Sequence, residues 1–160
     1  MSETVDLIRK ISPEALLSVG ENHGIEVLQI APAALHSVCE LLKLTADFDM
    51  LLDVIGIDWL GKRQPRFAVD YLFYSMSEKC RLQIKVAVPD DAQPVLDTIC
   101  DIYPPANWAE REVFDMLGIV FKGHPKLERL LMWDDFIGHP LRKDYALNKR
   151  QPIPVAKDLL

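Results

Sequence analysis

The chain has 160 residues with 18 basic and 24 acidic side chains, a formal net charge of −6, and a hydrophobic content of 49%. This length suits one domain with one hydrophobic core, the apolar content argues against disorder throughout, and the acidic balance argues against nucleic acid as the main partner. Charge is unevenly spread, because residues 1–107 hold 9 basic and 16 acidic side chains whereas residues 108–160 hold 9 and 8, which favours a docking surface in the C-terminal third.

The first part of the chain predicts two helices separated by a strand. Ser12 and Pro13 are typical of a helix start, and this helix would turn Leu16 and Leu17 inward. A strand is predicted over residues 25–30, and a second helix begins at Pro32. Its apolar residues follow helical spacing: Leu35, Val38, Cys39, Leu41 and Leu42.

Three strands and a further helix are predicted next. Residues 50–57 are dense in Leu, Val and Ile, which predicts a well-buried strand. Apolar residues alternate over 67–73 and again over 82–88, which predicts two strands joined by a hairpin turn at 75–79. Asp90 or Asp91 is expected to cap a helix that carries Val95, Leu96, Ile99 and Cys100.

This order of elements predicts the fold class. We expect a two-layer α+β fold, a mixed β-sheet with helices mainly on one face, followed by an irregular C-terminal segment after Gly118. A single domain over residues 1–147 is predicted. Residues 148–160 are expected to form an extended tail, because Pro152 and Pro154 each oppose helix formation.

The cysteines and the N-terminus limit the cellular setting. Cys39, Cys80 and Cys100 are too far apart to suggest a disulfide framework, a zinc ribbon or an iron–sulfur cluster, and buried thiols in a reducing compartment are expected. The N-terminus lacks a basic region followed by an apolar run, and no stretch approaches the roughly 18 apolar residues of a membrane span. We therefore expect a soluble cytoplasmic protein that reaches a membrane only through partners.

A short helix is predicted in the region that carries most information. Asn107 is expected to cap it, with Glu110 at the spacing of a capping box, and Gly118 is expected to end it. Arg111 and Asp115 are four residues apart and are expected to pair across one turn.

Two similar phrases follow this helix, Lys122-Gly123-His124-Pro125 and Ile137-Gly138-His139-Pro140. Gly and Pro shape the backbone in each phrase, and His is suited to hydrogen bonds with nearby backbone groups. The alternative is a metal site, but a spacing of fifteen residues matches no ligand pattern and no third ligand is evident. The stretch closes with Leu141-Arg142-Lys143-Asp144-Tyr145, whose charges and aromatic ring suit a contact patch.

Taken together, these residues resemble the signature of the thirty-kilodalton subunit of respiratory complex I. We call residues 110–145 the signature segment. Glu128 departs from the family pattern, which usually has a basic residue there, and this suggests an altered partner surface. The residues that carry the resemblance and are expected to form a partner interface are Glu110, Arg111, Glu112, Asp115, Gly118, Gly123, His124, Pro125, Arg129, Gly138, His139, Pro140, Arg142, Lys143, Asp144 and Tyr145.

The resemblance implies a non-catalytic, cofactor-free structural subunit in the peripheral arm of a proton-translocating NADH:quinone or ferredoxin:quinone oxidoreductase. Such a subunit would dock on the large subunit that helps form the quinone site, near the small cluster-bearing subunit, on the cytoplasmic face of the membrane. Iron–sulfur clusters, quinone and any FMN would belong to other subunits. Catalytic, cofactor-binding and metal residues are therefore not expected here, and ion pairs, some internal and some across the interface, are expected of Arg111, Arg129, Arg142 and Lys143.

Two other functions remain as alternatives. Related subunits occur in membrane-bound hydrogenases, formate hydrogenlyases and ferredoxin-linked photosynthetic complexes, and the sequence of the neighbouring large subunit would distinguish them. The alternative from a different class is a stand-alone metal hydrolase that uses His124, His139 and Asp144. It requires these three side chains to converge in space.

Overall fold

The computed structural model describes residues 3–152; residues 1–2 and 153–160 lie outside the described residues, and so does most of the predicted tail. The described range contains, in chain order, helix α1 (Glu3–Ile11), strands β1 (Leu16–Asn22) and β2 (Ile25–Ile30), a 3₁₀ turn (Pro32–Ala34), helix α2 (Leu35–Leu44), strands β3 (Met50–Asp58), β4 (Phe67–Ser75), β5 (Cys80–Ala87) and β6 (Val95–Asp97), helix α3 (Ala106–Leu117) and strand β7 (Val120–Lys122).

Five of the strands form one mixed sheet in the order β1–β2–β5–β4–β3. The central pair β2 and β5 is parallel, and the other neighbouring pairs are antiparallel. Strands β6 and β7 form a separate parallel pair. Strand β3 is therefore an edge strand of the main sheet.

The hydrophobic core lies between the helices and one face of the sheet. Alternate residues of β4 and β5 point into it and are at most 1% exposed: Phe67, Val69, Tyr71, Phe73, Leu82, Ile84 and Val86. On β3, a Cβ atom at Gly56 would lie 2.5 Å from Leu117 and 2.8 Å from Val113, so glycine at this position lets α3 approach the sheet closely. The predicted two-layer α+β fold is confirmed.

Two predictions in the N-terminal part are wrong. The first helix ends at Ile11 instead of beginning near Ser12, and it buries only Val5 and Ile8. Leu16 and Leu17 lie in strand β1, where Leu17 is exposed. The error has a physical cause, because a helix of nine residues, about two and a half turns, with only two buried residues shows too little apolar periodicity to be recognised.

The helix predicted after Asp90 is also wrong. The Asp90 carboxylate accepts hydrogen bonds from the backbone N–H groups of Ala92 and Gln93, at 2.8 and 3.2 Å, in a turn that no helix continues. The residues that follow form β6, in which Leu96 pairs with Phe121 of β7. That partner is distant in sequence, so no local pattern could reveal the strand.

Strand β3 was correctly placed, but its predicted deep burial is wrong. Met50, Leu52 and Ile55 are 42–44% exposed, because β3 is an edge strand and only part of its surface is covered by helix α3. A register shift between Leu51 and Asp53 further interrupts its pairing with β4.

Within residues 3–152, no helix has both the length and the apolar character needed to cross a membrane.

Candidate functional site

Glu110 is fully buried in α3 and ties this helix to the chain at the end of β6. Its Oε1 accepts a bond from the Ile99 N–H at 2.9 Å, and its Oε2 accepts bonds from Thr98 Oγ1 at 2.5 Å and Cys100 Sγ at 3.3 Å. Burial raises the pKa of this carboxyl, although these hydrogen bonds oppose the shift. The predicted capping box is wrong, since the helix begins after Pro105 without a side-chain cap.

A possible metal-ligand group lies beside this carboxylate. Cys100, Glu110 and His124 offer ligand atoms within 4.8 Å of one another. However, His124 Nδ1 accepts a bond from the Lys126 N–H at 3.0 Å, so its proton resides on Nε2, which faces the Asn107 carbonyl at 3.1 Å. Both ring nitrogens therefore hydrogen-bond to backbone groups. Through these bonds His124 fixes the loop after β7 against the first turn of α3.

Asp115 organises the irregular chain that follows β7. Its side chain is fully buried, and its Oδ1 accepts a 2.6 Å bond from Arg129 Nη1. Its Oδ2 accepts bonds from three successive backbone N–H groups, those of Leu130, Leu131 and Met132, at 2.8–3.0 Å. Burial acts to raise the pKa of Asp115, but the bonds from Met132, Arg129 and the neighbouring amides outweigh it and lower the pKa.

Arg129 extends this network toward the end of the signature segment. Its Nη2 donates to the carbonyl oxygens of Phe136 at 2.8 Å and Gly138 at 3.1 Å, and its guanidinium lies over the Phe136 ring. The Asp115–Arg129 ion pair, through the backbone groups that its two side chains bind, therefore fixes the chain from residue 129 to residue 138.

Three residues close the C-terminal end of α3. Gly118 has φ of 73°, the left-handed conformation that was predicted to end the helix. His139 Nδ1 donates to the Asp115 carbonyl at 2.9 Å, and Arg142 Nε donates to the Leu117 carbonyl at 2.5 Å. Burial, followed by the nearby cations, lowers the pKa of His139, so this imidazole stays neutral near pH 7. A cation and a donor at a helix C-terminus satisfy carbonyls that the helix itself leaves open.

Arg111 does not pair with Asp115, so that prediction is wrong. Its guanidinium donates to the Glu128 and Arg129 carbonyls and to Glu128 Oε1, at 3.1–3.2 Å, and it stacks over Trp108. Because Asp115 is occupied by Arg129, the long-range partners exclude the local pair. The unusual Glu128 has its partners inside the chain, Arg111 at 3.2 Å and Lys126 at 3.0 Å.

A second ion-pair network, which sequence reasoning missed, attaches the end of the segment to the sheet. Arg66 donates to both oxygens of Asp58 at 2.6–2.8 Å and to both oxygens of Asp144 at 2.9–3.0 Å. Asp58 Oδ2 also accepts the Lys143 N–H at 2.8 Å. Burial acts to raise the pKa of Asp58, but these bonds, led by Arg66, lower it to about 2. Asp58 lies 85 residues from Lys143 and Arg66 lies 78 residues from Asp144, so no local pattern marks these contacts.

Tyr145 and the chain just after it are also fixed. The Tyr145 ring stacks on Phe136, with centroids 6.0 Å apart. Gln151 Nε2 donates to Tyr145 Oη at 2.7 Å and to the Ile137 carbonyl at 2.8 Å, while its Oε1 accepts the Ile137 N–H at 2.8 Å. The start of the predicted tail is thus bonded to the signature segment as far as Gln151.

The described structure separates the three side chains that the hydrolase alternative requires. His124 bonds to Asn107 at the beginning of α3, whereas His139 bonds to Asp115, eight residues along the same helix. A helix rises 1.5 Å per residue, so these anchor points are roughly 12 Å apart. Asp144 is held by Arg66. The geometry therefore gives no support to a hydrolytic site.

A few members of the predicted site point outward instead. The Glu112 side chain is exposed and has no hydrogen bond or ion pair among residues 3–152, and the exposed Lys143 contacts Asp58 only through its backbone N–H. The turn residues Gly123, Pro125, Gly138 and Pro140 shape the chain between these groups. Large apolar side chains that are more than half exposed surround the segment: Trp108, Leu131, Ile137, Leu141 and Leu147. An exposed set of this kind is typical of protein-binding surfaces.

Comparisons with known proteins identify the relatives of this chain. A family model described as "Respiratory-chain NADH dehydrogenase, 30 Kd subunit" matches residues 28–151. The C subunit of the NADH-quinone oxidoreductase of Geobacter sulfurreducens is 44% identical over 133 residues, which cover 83% of this chain and 82% of that relative. Its counterpart in Geobacter metallireducens is 41% identical over 150 residues, 92% of each chain.

Two solved structures are similar. A trypsin-resistant fragment (1–134) of Nqo5 is 33% identical with a TM-score of 0.61, and the match covers 69% of this chain and 89% of the fragment. A chain of the membrane-bound sulfane sulfur reductase, an archaeal respiratory membrane complex, matches with a TM-score of 0.77 over 91% of this chain and 85% of that one. Its identity is 23%, so this second likeness concerns the fold alone.

Proposed function

The chain belongs to the family of the 30 kDa subunit of respiratory-chain NADH dehydrogenase, and we propose from this premise that it is a non-catalytic structural subunit of an NADH:quinone oxidoreductase. It docks on the large subunit that helps form the quinone site and on the small cluster-bearing subunit. Quinone, iron–sulfur clusters and flavin are held by those and other subunits. The chain sits at the cytoplasmic face of the membrane and reaches the bilayer only through its partners.

The observation that carries this proposal is the use made of the polar residues in the signature segment. Glu110, Asp115, Arg129 and Arg142 all bond within the chain, where they fix an irregular segment of backbone. Catalytic groups require a face open to a substrate. These side chains are instead suited to giving a loop the rigidity of a helix or strand, which reduces the entropy cost of binding.

The exposed apolar residues in and beside the signature segment support a docking role. Trp108 is 63% exposed and Ile137 is 70% exposed, although both stand beside elements that hydrogen bonds hold in place. Rigid, exposed aromatic and aliphatic side chains beside Arg are the residues that contribute most to protein interfaces. The comparatively basic character of residues 108–160 distinguishes this surface from the acidic remainder of the chain.

We propose the electron donor from the names of the relatives in sequence, because the fold also occurs in a complex of a different kind. A chain from a different respiratory complex has the same fold at 23% identity, so the fold does not select a donor. Relatives that are 38–44% identical are named as NADH-quinone oxidoreductase subunits, which favours NADH and quinone over a hydrogenase-type complex.

Purification of the intact assembly tests this function. The tagged full-length chain would be isolated from membranes in mild detergent, and the preparation assayed for quinone reduction with NADH, reduced ferredoxin, hydrogen or formate as donor. We expect NADH-driven activity to co-purify with the chain, and membranes of a deletion strain to lose that activity. The chain alone should show none.

Two results would contradict the proposal. Activity that co-purifies only with hydrogen or formate as donor would assign the chain to a hydrogenase-type complex. Turnover by the isolated chain, or a redox cofactor retained by it, would contradict a structural role.

A further inference from the structure

A groove lies between the edge strand β3 and helix α3. It encloses about 220 Å³, and its floor is apolar, formed by Val54, Val113, Met116 and Leu117. Two exposed apolar residues stand at its rim, Ile55 on β3 and Leu141 from the signature segment. The groove thus joins the sheet, the helix and the signature segment on one surface.

Two acidic residues are among those that line the same groove. Asp53 comes from β3 and Glu112 from α3, and both residues are exposed. Within residues 3–152, neither has a basic side chain within ion-pair distance, whereas Asp58, Asp70, Asp115 and Glu128 all do. An apolar floor beneath two unpaired negative charges is complementary to a long side chain with an apolar stem and a cationic head.

The backbone of β3 indicates how a partner would bind here. An open edge strand commonly invites a further strand through its free N–H and C=O groups. Here the Val54 N–H already donates to Asp53 Oδ1 at 2.8 Å. A register shift between Leu51 and Asp53 also interrupts the pairing of β3 with β4 just before this position. Both features oppose strand addition at this position, so recognition falls to side chains that enter the groove.

We propose that this groove receives an arginine of a neighbouring subunit, with the side-chain stem against Val113 and Leu117 and the guanidinium between Asp53 and Glu112. Arginine fits better than lysine because its planar guanidinium presents several donors at once to two carboxylates. This inference rests on the proposed function, because it locates one contact of the chain with the rest of the complex.

Isosteric neutralisation of both carboxylates tests the proposal in the native assembly. Labelled chain would be titrated onto the complex prepared from a deletion strain, and its Kd measured at several NaCl concentrations. D53N/E112Q should bind about tenfold more weakly or worse, with a shallower salt dependence. The matched control E40Q/E78Q removes two exposed charges elsewhere and should stay within twofold of the wild type.

Cross-linking identifies the occupant directly. A photoreactive phenylalanine analogue at Leu141 should cross-link, in the assembled complex, to a peptide of another subunit that carries an arginine near the attachment point. A charge swap then tests the pair. Changing that arginine to glutamate and combining it with Glu112→Arg on this chain should restore binding.

The outcomes separate this inference from the proposed function. A wild-type chain that binds the complex while D53N/E112Q binds within twofold of it would overturn the groove assignment and leave the proposed function intact. A cross-link to a second copy of this chain, or to a segment without a basic residue, would overturn the assignment as well. Failure of the wild-type chain to bind the complex would overturn both.

Discussion

The sheet with its covering helices and the signature segment are stabilised in different ways. The sheet is held by burial of alternating apolar residues such as Val69, Tyr71 and Ile84, which are fully buried. The signature segment after α3 contains only the short β7 as regular structure, and it is held by Asp115, Arg129 and a set of bonds to backbone groups. Burial of apolar area is non-directional and tolerates repacking, whereas buried charge pairs require each partner in place.

This difference separates the residues that stabilise the segment from those that we propose bind a partner. In the signature segment, Arg129 and Asp115 are largely or fully buried and hold the backbone of its irregular part, whereas the apolar residues Leu131, Ile137 and Leu141 are more than half exposed, the reverse of the usual arrangement in a globular protein. We expect a surface of this kind to stay rigid without a partner and to present apolar area to one. Variants that remove one kind of contact at a time test that contrast, in order of decreasing expected effect on stability.

Asp115→Ala should give the largest loss. It leaves Arg129 uncompensated and three backbone N–H groups without an acceptor, and breaking a buried pair of this kind costs about 3–5 kcal/mol. Urea denaturation measures the loss, and trypsin should cleave more rapidly at Arg142 and Lys143. Ile84→Ala is the matched change in the sheet, where a loss of about 2–5 kcal/mol should loosen the whole domain without preference for the signature segment.

Asp134→Ala provides the control for Asp115→Ala, since Asp134 is exposed and its removal should cost less than about 0.5 kcal/mol. A loss below about 1 kcal/mol for Asp115→Ala would mean that the ion-pair network does not hold the segment.

Arg142→Ala should have the next largest effect. It removes the donor to the Leu117 carbonyl and the stacking over Phe67, and a hydrogen bond to a charged group contributes about 1.5–3 kcal/mol. Because the end of α3 would loosen, assembly should weaken too, as measured by the share of the chain retained in the purified complex. An intact complex with full quinone reductase activity would contradict any part for Arg142 in assembly. Lys143→Ala, which leaves the backbone bond to Asp58 in place, is the comparison variant.

The Asp58–Arg66 network makes the attachment of the segment sensitive to acid. The pKa of Asp58 is lowered from 3.8 to about 2, so the carboxylate contributes stability that is complete above its ordinary pKa and is lost as pH falls through about 2. This contribution is about 1–2 kcal/mol. Asp58→Asn should therefore be less stable near neutral pH and show a shallower decline between about pH 4 and pH 2. Parallel acid limbs for the variant and the wild type would contradict the assignment.

The two regions also differ in how far the sequence predicted them. Period-two alternation correctly located β4, β5 and their hairpin, and glycine correctly marked the end of α3. The first helix was missed because it is short, and the other errors fall where structure depends on distant partners, as in β6, which pairs with β7 on the far side of α3 in the sequence. In the signature segment, resemblance to a family singled out Asp115, Arg129 and Arg142, which the structure places in hydrogen-bond networks within the chain. It could not assign their partners, because Asp115 lies fourteen residues from Arg129, and Asp58 lies far from Lys143.

Trp108→Ala should have the smallest effect on stability. The side chain is 63% exposed, so its loss should change the free energy of unfolding by less than about 1 kcal/mol. Binding to the complex should weaken much more, since exposed Trp residues are typical interface hot spots. We expect a loss of about 2 kcal/mol or more in binding free energy when the chain is titrated onto the complex prepared from a deletion strain. Leu44→Ala, an exposed apolar residue at the end of α2, is the control. Equal affinity of Trp108→Ala and wild type would remove Trp108 from the interface.

Hydrogen exchange of the isolated chain and of the assembled complex tests most directly whether the signature segment is rigid before it meets a partner. We expect the amides of Leu130, Leu131 and Met132, which bond to Asp115, to exchange slowly in the isolated chain and to change little on assembly. Rapid exchange of these amides in the isolated chain, with protection gained only in the complex, would show that partners order the segment and would contradict a surface that is built in advance.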